Sequence, residues 1–69
     1  MISFKVEAVA IDGRTVALEK LETYQDAAEC MAGLLSDGSP LLAYGGGTVS
    51  LYRLDEGDWV VMSVKAVVP

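Results

Sequence analysis

The chain has no histidine and a single cysteine, Cys30. Without histidine it lacks the commonest metal ligand and the commonest general base, which argues against a zinc site. One thiol cannot close an internal disulfide, so a disulfide-stapled scaffold is excluded and a reducing compartment is favoured. Basic residues are scarce too. Five Lys and Arg face ten Asp and Glu, a formal charge of −5. A nucleic-acid binder needs a basic footprint, so direct nucleic-acid binding is not expected. No apolar run approaches the ~20 residues of a membrane span. The opening MISFKVEAVA carries Glu7 and no basic lead-in, unlike a secretory signal. Repeats and low-complexity segments are missing as well. These absences point to a soluble, cytoplasmic protein.

What remains is a 69-residue chain, read as one domain over 1–69. A core of that size is marginal. Yet 52% of the residues are hydrophobic, against about 45–50% in ordinary domains. Some of that apolar surface is expected to face a partner or a second copy. Net acidity keeps a small protein soluble, and it also suits a protein that binds basic surfaces.

Alternation marks the first element. Ile2, Phe4, Val6, Ala8 and Ala10 share one parity, as in a half-buried strand. Val16 and Leu18 continue it after the turn. A three-residue loop, Ile11-Asp12-Gly13, would pair Val6 with Leu18 and Ala8 with Val16 and keep the faces apart. It also puts Gly13 where a left-handed residue is needed. Thr23 then reads as an N-cap with Asp26 at the third helical position. Tyr24, Ala27, Ala28, Met31, Leu34 and Leu35 recur at helical spacing. Asp37-Gly38 and Pro40 stop the helix. LLAY (41–44) reads as a short extended run. TVSLYRL (48–54) and WVVMSVKAVV (59–68) read as strands around a Glu56-Gly57 turn. In that register Leu51 faces Met62 and Val49 faces Val64, with Val60 and Ala66 on the same core face. The expected fold is α+β: an antiparallel sheet of four to five strands with one helix packed on one face, in the order β-β-α-β-β-β.

Gly45-Gly46-Gly47 invites a phosphate-loop reading. Such a loop leads into a helix and carries a following lysine. Here TVSLYRL follows, so a flexible hairpin loop is expected, and no cofactor. The helix is more informative. Glu22, Asp26 and Glu29 lie at spacings of four and three, opposite the apolar stripe, and Glu19 just precedes them. A solvated face would carry such a row, and so would a ridge that docks on Lys and Arg. Asp55, Glu56 and Asp58 form a second acidic cluster. Tyr52, Leu54, Trp59 and Val61 share the face away from the core, with Leu54 opposite Trp59 and Tyr52 opposite Val61. Tyr, Trp and the neighbouring Arg53 are residue types enriched in interface hot spots. The long apolar final strand is a free edge unless something pairs with it, and a homodimer by strand addition is one outcome. Lys65 would otherwise guard that edge. Cys30 reads as a small buried hydrophobe with no base to activate it.

The segment DGRTVALEKLETYQDAAECMAGLL (12–35), a turn, a strand and an acidic amphipathic helix, resembles the small inhibitor proteins of phages and mobile elements, anti-CRISPR proteins among them. The resemblance implies a stoichiometric binder in a bacterial host cell that blocks a host effector complex, in some cases at its nucleic-acid-binding surface. It brings no catalytic residue with it. The leading expectation is therefore a non-enzymatic inhibitor of a larger basic protein or protein–nucleic-acid complex. Its contact residues would be Glu19, Glu22, Asp26, Glu29, Tyr52, Arg53, Asp55, Glu56, Asp58 and Trp59. The alternative is a self-associating module joined through the final strand or the Tyr52/Trp59 patch.

Overall fold

The computed structural model describes residues 1–69. Strands β1 (Phe4–Ala10) and β2 (Thr15–Leu21) form the first hairpin. Its loop is Ile11-Asp12-Gly13. The Ala10 N–H donates to the Arg14 carbonyl at 2.8 Å, and Gly13 takes φ +93°. The expected loop is therefore present, but the expected register is not. Ala8 faces Ala17, Glu7 faces Leu18 and Val6 faces Glu19. A β-bulge at Val16 adds one residue to β2 and turns the rest of the strand over. Leu18 goes to the open face, 50% exposed. Glu19 takes the place beside Val6 on the helix side.

Helix α1 (Tyr24–Ser36) starts as its sequence dictates: the Thr23 hydroxyl accepts from the Asp26 N–H at 3.1 Å. Ala27 and Met31 are buried, with Cys30, Leu34 and Leu35 packed around them. Tyr24, at the edge of the stripe, stays half-exposed and meets Phe4 edge-on at 5.9 Å. The C-cap is Asp37, not a left-handed glycine. Gly38 is needed for close approach instead, because a Cβ there would lie 2.8 Å from a Val67 methyl.

The expected extended run 41–44 is not a strand: Leu41 and Leu42 end a second, one-turn helix, α2 (Ser39–Leu42), and Ala43 and Tyr44 follow in a turn. Pro40 sits in its first turn, where a missing N–H costs nothing. Asp37 Oδ1 accepts from the Ser39 N–H, and Leu41 is buried. The sheet consequently has four strands, and β3 (Gly47–Asp55) and β4 (Asp58–Val67) complete it in the order β2-β1-β3-β4, antiparallel throughout. The triple glycine leads from α2 straight into β3. Gly46 donates to the Leu41 carbonyl at 2.9 Å, and its own carbonyl accepts from Ile11 at 3.0 Å. Gly45 and Gly46 have φ of +92° and +109°, open to glycine. The segment is a tied connection, not a loose hairpin loop.

The last turn is Glu56-Gly57, with φ of +50° and +85° as a two-residue hairpin needs. Leu54 faces Trp59 and Tyr52 faces Val61, as the pattern predicts. Beyond them Met62 is the extra residue of a second bulge. Leu51 then faces Ser63 and Val49 faces Lys65. The expected core positions Val64 and Ala66 thus fall on the open face, both exposed. The core is Val6, Ala8, Ala10, Val49 and Leu51 of the sheet with Ala27, Met31 and Leu41 of the helices. α1 packs on β1, β3 and β2 and leaves β4 largely uncovered.

Candidate functional site

The pairings set which groups share an end. Leu21, Phe4, Arg53 and Val60 lie in one row across the sheet. α1 begins just past Leu21, and the β3–β4 turn lies just past Arg53. The first turn of α1 and the last hairpin turn therefore occupy the same end of the sheet. Glu22, Asp26, Asp55, Glu56 and Asp58 gather there, all exposed. They come from segments more than 25 residues apart in the chain. Three strand spacings separate β2 from β4, about 14 Å. The row is not wholly free. Glu22 Oε2 lies 3.4 Å from the Met1 amino group, and Asp55 Oδ2 lies 3.1 Å from Arg53 Nη1. Exposed pairs of this kind are worth about 0–1 kcal/mol and yield to a better partner.

Glu19 and Glu29 extend the acidic surface down the β2–α1 flank. Glu19 faces the helix side, where it helps to push the Cys30 thiol above its ordinary range. Burial is the larger cause and the Glu19 charge the smaller. Cys30 is thus held as the neutral thiol. At the opposite end of α1, hydrogen bonds from Ser39 hold the Asp37 carboxyl below its usual range.

Tyr52 and Trp59 are placed differently. They lie on the open face of the sheet, away from α1, and no element of the chain covers them. Lys5 lies across both rings, its Nζ 4.6 Å from the Tyr52 centroid and 4.9 Å from that of Trp59. Lys20 stands beside Lys5 on the same face. Arg53 has the opposite parity and turns toward Asp55. The ten nominated residues accordingly split in two: seven carboxylates and Arg53 on one end and its helix flank, two aromatics on the open face. Lys5 is the member the sequence reading left out. Its alternation with Phe4 and Val6 already assigned it to the open face, but only the β1–β3 register brings it to Tyr52.

Concave surface is limited. A cavity of about 70 Å³ lies between α1 and the first hairpin, with Asp37 its only titratable lining residue. A shallower apolar hollow of about 310 Å³ lies by Ile11, Gly45, Thr48 and Val68, with no titratable lining residue. No helix is long and apolar enough to cross a membrane. The chain matches no family model, no curated protein and no solved structure.

Proposed function

We propose that the protein is a non-enzymatic binding module, an inhibitor of the phage or mobile-element type (anti-CRISPR-like), that occludes a basic, nucleic-acid-binding surface of a larger effector complex. One observation carries this reading: five carboxylates from two distant parts of the chain lie at one end of the sheet, opposed there by Arg53 and the Met1 amine, with Lys5 and Lys20 one residue in from that end on the open face. At low ionic strength the Debye length reaches about 30 Å, so carboxylates about 14 Å apart act as a single field on an approaching partner. A basic groove built for phosphates presents the matching field, and such complementarity governs encounter rate and choice of partner. The open-face aromatics would add desolvated contact if the partner reaches round β4.

The test uses tagged wild-type protein and a Glu22→Lys/Asp26→Lys/Glu29→Lys variant as baits in a bacterial lysate. The expected result is capture of a basic protein by the wild type at low salt. The triple reversal should weaken that capture about a hundredfold, from three attractions of about 0.2–1 kcal/mol turned into repulsions. Equal capture by both baits at low salt defeats the reading.

A further inference from the structure

β4 closes one side of the sheet. Nine of its ten residues pair with β3 along one edge, all but Met62, and no strand pairs with its other edge. Val61, Met62 and Val64 are 46–54% exposed. An apolar strand with a free edge is a template for a further strand. The other edge, β2, is shorter and alternates Glu19 with Lys20 at its far end, a guarded pattern.

The Met62 bulge determines what fits β4. Asp58 and Lys65 are seven positions apart, which in a regular strand sets them on opposite faces. The extra residue brings them to the same face. Asp58 follows the parity of Val60, which faces Arg53, and Lys65 faces Val49. By the same shift Trp59 and Val64 share the open face. An antiparallel copy of β4 can therefore match this edge residue for residue.

We propose that two copies of the chain join antiparallel along β4, with Asp58 opposite the partner's Lys65, Trp59 opposite the partner's Val64 and Val60 opposite the partner's Ser63. Every such pair has both members on one face. The two-fold axis passes between Val61 and Met62, so both bulges lie at the centre and the ladder forms on either side of them. Oppositely charged cross-strand neighbours fix the register. For an unrelated strand Lys65 is a deterrent, whereas for a second copy it meets a carboxylate. The result is an eight-stranded sheet with both α1 helices on one side and the two Tyr52/Trp59 patches continuous on the other. Asp58 is shared with the acidic end, whereas Glu22, Asp26 and Glu29 lie on the β2–α1 side of each copy, so reversing those three should leave the dimer intact.

Sedimentation of the purified chain should show a monomer–dimer equilibrium. Lys65→Asp and Asp58→Lys should each weaken it about tenfold, since each turns two attractions into repulsions. The double variant Asp58→Lys/Lys65→Asp should recover the wild-type constant to within about threefold. Both sites are exposed, and far-UV circular dichroism checks that each variant is folded. Trp59 emission should shift to the red on dilution, as its contact with the partner's Val64 is lost. A wild type that stays monomeric at millimolar concentration overturns the proposal. So does a dimer that ignores the single swaps, that the double swap fails to restore, or that dissociates with no change at Trp59.

Discussion

Replacing Gly46 by alanine puts the connection between α2 and β3 under a measurable load. At φ +109° an L side chain is strained whatever space it has, at a cost of about 1–3 kcal/mol. The space is also taken. An added Cβ would lie 2.6 Å from the Val67 carbonyl oxygen and 3.4 Å from Pro69 Cδ. That carbonyl closes β4, and moving it pulls Val67 away from its partner Gly47. Overpacking of this kind adds about 1–3 kcal/mol. The sum is about 2–6 kcal/mol, against a total stability of about 3–10 kcal/mol for a domain of this length. Gly33 supplies the control. It is exposed on α1 with nothing within 4 Å of an added Cβ, so alanine there should stabilise by about 0.5–1 kcal/mol. Urea titrations followed by Trp59 fluorescence and by circular dichroism measure both. The midpoint should fall sharply for Gly46→Ala and rise for Gly33→Ala. If Gly46→Ala lies within about 0.5 kcal/mol of wild type, the geometry assigned to the triple glycine is wrong.

Three further outcomes follow from the same structure. Thr23→Ala removes the only side-chain cap of α1 and should cost about 1 kcal/mol in the same titration. Val6→Ala empties part of a core in which Val6 is wholly buried, and should cost about 2–3 kcal/mol. Cys30 should react with iodoacetamide more slowly in the native chain than in urea, because its thiolate is disfavoured when folded. The native state keeps that proton to higher pH than the unfolded one, so stability should decline as pH climbs through the thiol range, above about 8.5.

The parts legible in the sequence are those with a local chemical signature. Gly13 and the Glu56-Gly57 pair announce their turns because only certain residues tolerate positive φ. Thr23 announces α1 because its hydroxyl meets an orphan N–H. Bulges have no such signature. Val16 and Met62 are ordinary strand residues, and nothing local says that each is the extra one, yet each turns half a strand over. That is why Leu18, Val64 and Ala66 were expected inside and lie outside, and why Glu19 and Lys65 hold inward parity. The α2 turn did leave a signal: Pro40, two residues after Gly38, suits a helix start as well as a stop. Of the candidate surface, the two acidic clusters were visible separately. Their meeting at one end depends on strand order β2-β1-β3-β4, which no residue spells out.

Occlusion is the central claim, and competition tests it most directly. A partner captured by the wild-type chain would be mixed with a labelled oligonucleotide that it binds, and the chain titrated in while anisotropy is followed. Stoichiometric release of the oligonucleotide is the predicted result, with the Glu22→Lys/Asp26→Lys/Glu29→Lys variant releasing far less. A stable ternary complex of partner, oligonucleotide and chain would contradict the account.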